Sequence, residues 1–466
     1  MRKNFIGIGI VLVLLFLLQS SLFADGMIMS VPSAPRMHSE LILEEEQYCL
    51  INYHEGSQSM FLNVDFSTEH ETDSVWIFPV PSNPENVDIN IIDLDFSLRG
   101  YEVEEYASSK IKDIRQVMLG TQIYPGFFRF LINYKGHYFS IDESIDDSFG
   151  DKIEVHRRIE KKGLRTEVIT AKDEEVLRQY LESNGVVLDE KLLEHLNLYI
   201  SQDVSFVVTW MIDFEEYKKV ETLKNRRVGV NVIFPTEKLY YPLILTSIYD
   251  TEIIPTNIYV IGHVKPHVYD EIKPFTQVWY YIKGQIDISS NDEDIAKMLF
   301  LQNRNLQDVD YTRISIDAPS NLLKEDLYIT NSAPLRIILL KFISKNANLL
   351  GLVLYLFLPI LISVVLGKWI YKDDNVPIKK FVLIGACNMF SIIGFLIANN
   401  KLLKEENQKD FHRMKKTKFI VLFSLVFVLI VIGFSKLTNI VLGIENEFNS
   451  KTTMTDFVDD FVDKDF

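Results

Sequence analysis

Three apolar blocks toward the C-terminal end constrain this 466-residue chain more than any other feature. They are Leu349 to Leu366 (LLGLVLYLFLPILISVVL), Phe381 to Ala398 (FVLIGACNMFSIIGFLIA) and Phe419 to Phe434 (FIVLFSLVFVLIVIGF). About 20 helical residues cross the roughly 30 Å hydrocarbon layer, so each block suffices with its flanks. None contains Asp, Glu, Lys, Arg or His. Pumps and ion-coupled carriers place such groups along their pathways, so transport by this bundle alone is disfavoured. Pro359 is tolerable within a bundle whose neighbouring helices re-satisfy the backbone. Trp369 and Tyr371 between Lys368 and Lys372 form an interfacial anchor. Gly385, Asn388 and Ser391 recur every three residues in the second block, the pattern of a small or polar face for close helix packing.

The N-terminus, Met1-Arg2-Lys3 followed by an apolar run from Phe5 to Leu18 and then Gln19 to Ala24, has the form of a secretory signal peptide over residues 1–24. An uncleaved signal anchor gives the same topology downstream. Residues 25–345 then form an exported domain, 346–436 the three-helix membrane region, and 437–466 an acidic tail. The exported part carries 32 Lys and Arg against 52 Asp and Glu, which argues against nucleic acid or an anionic bilayer as its main partner. Cys49 is its one cysteine and Cys387 lies in a membrane block, so this domain stands on its hydrophobic core and not on disulfides.

Topology contains a conflict. Three full crossings put the 367–380 loop inside and the 399–418 loop outside. Yet the latter holds Lys401, Lys404, Lys409, Arg413, Lys415, Lys416 and Lys418, more than Lys368, Lys372, Lys379 and Lys380 of the former. That runs against the positive-inside tendency. A re-entrant second block resolves it, with the second loop in the cytosol and the tail outside. The length and apolarity of Phe381 to Ala398 favour three spans.

The exported region reads as α+β. Tyr48 to Tyr53 and Met60 to Phe66 are alternating runs joined by His54 to Ser59, a hairpin. Val75 to Val80 (VWIFPV) contains a proline that cannot donate to a ladder, so this strand is expected at an edge or to end at Phe78. Val87 to Phe96 alternates again. Thr170-Ala171-Lys172-Asp173 has capping-box spacing ahead of a helix burying Val176, Leu177, Tyr180 and Leu181, with Gly185 as its C-terminal cap. A second helix, Asp189 to Ile200, buries Leu192, Leu193, Leu196 and Tyr199. This helical hairpin is expected to pack on a mainly antiparallel sheet supplied by Thr166 to Ile169, Phe206 to Phe214, Val228 to Phe234, Tyr240 to Ile248, Ile258 to Ile261, Val278 to Ile282, Arg313 to Asp317 and Asp326 to Ile329. Ser290-Asn291-Asp292-Glu293 caps a further helix to about Gln302.

The order EEEQYCLINYHEG (44–56), WIFPVPSNPENVDI (76–89), the helical hairpin, YYPLILTSIYDTEIIPTNIYVIGHV (240–264) and YTRISIDAPSNLLKEDLYI (311–329) resembles the DUF2330 family of exported bacterial proteins. The resemblance implies a shared fold and export, and no particular activity. Members often open with a Cys-Gly-Gly stretch closed by another Cys, where this chain has Asp25-Gly26-Met27-Ile28.

No catalytic, cofactor or metal signature stands out. His263 and His267 are four apart, but Pro266 between them breaks any helix and no HExxH accompanies them. Acidic runs at Asp142-Glu143, Asp146-Asp147 and Asp292-Glu293-Asp294 lack the calcium-loop spacing. Two basic clusters, Arg157-Arg158 with Lys161-Lys162 and Arg165, and Lys218-Lys219 with Lys224 and Arg226-Arg227, read as solvated loop faces or as a holder for an anionic wall polymer or lipid head groups. In the tail, Phe457, Val458, Phe461 and Val462 recur at helical spacing between aspartates, suited to docking on a protein partner or to a solubilising tail. Two functions fit: a membrane-anchored extracytoplasmic binding or accessory module, as in envelope upkeep, or an exported enzyme whose site includes His263, His267 and polar residues near Pro81.

Overall fold

The computed structural model describes residues 26–31, 39–42, 47–63, 74–95, 98–120, 158–171, 173–200, 203–221, 226–286, 293–301, 306, 308–374, 376–403 and 409–441. The signal-peptide stretch, the tail residues Phe457, Val458, Phe461 and Val462, and the acidic runs at 142–147 lie outside them. The chain divides into two compact units.

The first unit is α+β, as expected. A five-stranded sheet runs β1 (Met27–Ser30), β4 (Ser74–Val80), β9 (Ser205–Met211), β8 (Leu164–Ile169) and β7 (Arg158–Lys161). An eight-stranded sheet runs β5 (Asp88–Asp95), β10 (Arg226–Pro235), β3 (Ser57–Asn63), β2 (Gln47–His54), β12 (Thr256–Ile261), β15 (Val309–Ile316), β14 (Thr276–Ile286) and β6 (Leu98–Glu102). All its neighbours are antiparallel except β2 and β12. Alternation sends Cys49, Ile51, Met60, Leu62, Val230, Ile258 and Ile314 from one face of this sheet into a core shared with Trp76, Phe78, Val168 and Val207 of the other. Each such side chain contributes roughly 1.5–3 kcal/mol on burial. The far face of the five-stranded sheet is covered by the expected helical hairpin, α2 (Glu174–Ser183) and α3 (Glu190–Asn197), through Leu177, Leu181, Leu192, Leu193 and Leu196.

Several local expectations change. The first hairpin turns on Glu55 and Gly56 alone, both at positive φ, because His54 pairs with Ser57; both strands run into the polar stretch and the turn is tighter than that stretch suggests. Strand β4 is interior, not an edge, and continues through Pro79 to Val80. Its neighbour β1 reaches only Ile77, so no partner on that side needs the missing N–H. Helix α2 is capped by Asp173, whose carboxylate accepts from Val176 N at 2.9 Å, and not by Thr170. Val176 is exposed. The run expected as a strand over Tyr240 to Ile248 is a short strand, β11 (Leu239–Tyr241), in a small sheet with β16 (Leu327–Thr330) and β13 (Lys265–Pro266), and then a 3-10 turn from Ile244 to Tyr249. Asp326 causes the break: its carboxylate accepts from the amides of Leu243 (2.8 Å) and Ile244 (3.0 Å) and from the hydroxyls of Tyr199 and Tyr240.

The second unit gathers the C-terminal helices and one helix not expected above, α1 (Val103–Gly120). Its Glu104 pairs with Arg336 at 2.9 Å, and Ile114 and Met118 join the apolar cluster of the unit. The remaining helices are α6 (Leu335–Ile370), α7 (Ile378–Cys387), α8 (Ser391–Leu402) and α9 (Lys409–Val441). Three stretches, Leu335–Ile370, Ile378–Leu402 and Arg413–Gly433, are long and apolar enough to cross a membrane, as expected.

The path of the middle stretch is the new feature. It breaks at Asn388–Phe390, and Ser391 takes φ 74°. Helix α7 runs antiparallel to α6, with Ser363 donating to Phe381 O and Tyr355 to Met389 O. After the break, Phe395 of α8 stacks on Phe423 at 3.9 Å and on Phe419 at 5.8 Å. Phe419 also meets Phe381 and Tyr371, and Lys415 pairs with Asp374. The end of α6, the start of α7 and the start of α9 therefore lie together. The described residues of the 367–380 and 399–418 loops, expected at opposite ends, lie at one end, because the helix break turns the chain back. Gly385 permits the close approach: a Cβ there would lie 2.5 Å from Ile360 Cα and 2.7 Å from Pro359 O. Gly385→Ala is expected to lower the melting temperature of the detergent-solubilised chain by several degrees, whereas Gly433→Ala, with open space around it, leaves it unchanged.

Candidate functional site

Because side chains alternate along a strand, the residues between the core positions of the eight-stranded sheet point to its other face. Part of that face is covered by α5 (Glu293–Met298) and its following turn, where Ile295, Leu299 and Leu301 pack on Leu50, Phe61 and Ile92. Asn52 donates to Leu299 O and Phe300 O there. The rest carries rings and guanidinium groups.

Register builds the array. Tyr259, Arg313 and Trp279 stand opposite one another across β12, β15 and β14. In the next row Tyr311, Tyr281 and Glu102 are aligned. On the other side, Tyr48 is opposite Asn257, which is opposite Ser315. Tyr281 stacks on Tyr311 with centroids 4.6 Å apart and planes 7° from parallel. Tyr259 meets Tyr311 at 6.3 Å and lies nearly parallel to Tyr48 at 6.2 Å. The Arg313 guanidinium sits 5.2 Å over Trp279 and 5.7 Å from Tyr259, held by a 2.9 Å bond to Asn257 Oδ1. Arg227 lies 3.5 Å over Tyr48 and donates to Asn63 Oδ1. Tyr48, Arg227, Tyr259, Trp279, Tyr281 and Arg313 are all half-buried.

A β-bulge between Tyr281 and Gly284 makes room for the central stack. Lys283 takes φ 54° there, and a Cβ on Gly284 would strike Val309 O at 2.6 Å and the Tyr311 ring at 2.8 Å. Burial pushes the Tyr281 hydroxyl up to about 12, with the Glu102 carboxylate adding to the shift. Burial raises Tyr311 further, and the neighbouring phenols reinforce it. Tyr281 and Tyr311 are therefore neutral at physiological pH, and Arg227, Arg313 and Glu102 are the charged groups among the residues of the array. Such rings, amide and hydroxyl groups and held guanidinium groups can engage another molecule by stacking, hydrogen bonding and cation–π contact.

The residues singled out from sequence fall elsewhere. His263 Nε2 is 2.9 Å from Tyr281 O and its ring meets Tyr280 edge-on, while His267 Nε2 contacts Thr330 Oγ1 at 2.5 Å; the two histidines have separate partners. Beside Pro81, Ser82 O accepts from Ser205 Oγ at the start of β9. Among the described residues no group of three His, Cys, Asp or Glu is placed to hold a metal. The first basic cluster is tied into ion pairs: Arg158 with Glu160 and Glu167, Arg165 with Glu167, and Lys162 with Asp93. Arg157 and Lys224 lie outside the described residues. Of the second cluster, Arg227 reaches the aromatic face. The other residues of that face, Tyr259, Tyr311, Arg313, Trp279 and Tyr281, carry their signal only as strand alternation against aliphatic neighbours, which a search for charge clusters does not register.

Linkage gives a test of the packing. Tyr281 ionises near 10 when unfolded and near 12 in the fold, so its contribution to stability is complete below about pH 10 and is lost as pH rises toward 12. Denaturant midpoints are expected to fall over that window, and less steeply in Tyr281→Phe.

No family model matches the chain, and no curated protein matches it. Among solved structures, a mutated baculovirus P35 after caspase cleavage aligns over 62% of this chain and 100% of its own, at 11% identity and a TM-score of 0.23. At that score the likeness carries no argument about fold or function.

Proposed function

We propose that this chain is a membrane-anchored extracytoplasmic binding module, and that the aromatic and guanidinium face of its eight-stranded sheet holds an anionic envelope polymer. The observation that carries this reading is the Arg313 guanidinium held between Trp279, Tyr259 and Asn257 in a chain whose net charge is −16. Two guanidinium groups of an acidic protein stand here beside stacked rings and hydrogen-bonding side chains, the combination suited to a chain-like ligand with flat apolar faces and acidic groups. The DUF2330 resemblance, with export implied, agrees with a ligand outside the cytoplasm.

We infer that the two basic loops, both at one end of the helical unit, face the cytoplasm. Lys368, Lys372, Lys379 and Lys380 then join the seven cations of the 399–418 loop on a single side, in accord with the positive-inside tendency. On this path α6 and α9 cross fully, the middle stretch enters and leaves on the cytoplasmic side, and the chain after Val441 is outside with the first unit.

Sedimentation with bacterial wall material, its anionic polymer intact or extracted, tests the first reading. Full-length protein in mild detergent is expected to bind intact material in a salt-sensitive way, and Arg313→Ala with Trp279→Ala to weaken binding at least about tenfold, the effect of losing about 1.4 kcal/mol. Equal binding by wild type and variant would reject it. For orientation, alkaline phosphatase fused after Val441 is expected to be active, and an inactive fusion with a fluorescent cytoplasmic reporter at the same point would overturn the path.

A further inference from the structure

The fold-back creates a second feature, separate from the aromatic face. Where the end of α6 meets the start of α9, a cleft of about 820 Å³ opens to the surroundings. Trp369 and Ile370 line it from α6, and Arg413, Met414, Lys415 and Lys418 from α9. Its walls differ in chemistry. Trp369 is 62% and Met414 71% exposed, so the apolar wall is left uncovered by the described residues. Lys415 is tied to Asp374 and helps hold the two helix ends together. The Lys418 ammonium lies 4.9 Å from the Trp369 ring, and neither it nor the exposed Arg413 side chain has a carboxylate partner among the described residues.

Position narrows the ligand. The cleft begins three residues beyond the apolar run that ends at Leu366 and closes one residue before the run that starts at Phe419. That is the depth of lipid head groups when both runs lie in hydrocarbon. A freely soluble anion has no use for an uncovered Trp and Met. A lipid has: its phosphate meets Arg413 and Lys418 while its acyl chain covers Trp369 and Ile370. Basic pockets between helices at this level recognise anionic head groups. We propose that this cleft is a binding site for an anionic phospholipid.

Full-length protein in nanodiscs and by native mass spectrometry from mild detergent provides the test, with phosphatidylglycerol and phosphatidylcholine as probes. Wild type is expected to retain phosphatidylglycerol at least tenfold better than phosphatidylcholine and to melt higher in phosphatidylglycerol discs. Arg413→Gln with Lys418→Gln is expected to abolish that preference while leaving helicity unchanged, and Lys401→Gln, outside the cleft, to preserve it. Should the double variant fail to fold, the wild-type comparison decides alone: no preference for phosphatidylglycerol overturns the proposal. Full displacement of the lipid by millimolar inorganic phosphate would also overturn it, assigning the site to the free anion. Retention of the preference by a folded double variant would reject these two cations as the recognising groups.

Discussion

The pleat of the eight-stranded sheet is the constraint on which the first unit depends. Each strand that commits Cys49, Ile258 or Ile314 to the core commits Tyr48, Tyr259 or Arg313 to the opposite face. A slip of one residue would exchange the two sets and bury the arginines among aliphatic side chains. The register that stabilises the core is thus the register that assembles the ring and guanidinium array. Small residues refine it: Gly284 at the bulge lets the Tyr311 ring lie flat against Tyr281.

A comparable economy governs the second unit. Backbone groups released from a helix inside hydrocarbon must be covered by protein, and the break at Asn388–Phe390 is covered by α6 and α8. Asn388 and Ser391 are both buried. Gly385 permits contact with the α6 backbone at Pro359, and the Phe395, Phe419 and Phe423 rings close the return path. One turn of chain direction then places all the basic loops together and forms the interfacial cleft as a by-product.

Much of this architecture was legible from pattern alone. The three apolar stretches, the helical hairpin with its leucine face, and most strands follow from periodicity, which reports burial directly. Other features depend on distant partners. Tyr240 to Ile248 has the composition of a strand, but Asp326, far along the chain, captures the amides of Leu243 and Ile244 and turns the backbone. Pro79 looked like an edge marker because the sequence does not show where β1 stops. The middle apolar stretch has the length of a crossing, and only contacts between Phe419, Phe381 and Tyr371 reveal that it folds back; the excess of cations after Asn399 was the one local sign. The aromatic face was unread because each strand contributes only one or two of its members. Its residues come together through pairing of β2, β12, β14 and β15, strands from Gln47 to Ile316 in the chain.

The proposed binding surface is the outer face of the eight-stranded sheet and not the helical hairpin side of the first unit. Site-specific photocrosslinking in intact cells distinguishes the two, with the reactive side chain placed at the exposed Gln277, two residues from Trp279 on the same face of β14, or, for comparison, at the exposed Val176 of α2. Adducts with envelope material are expected from position 277 and none from 176. Adducts from 176 with none from 277 would overturn the proposal.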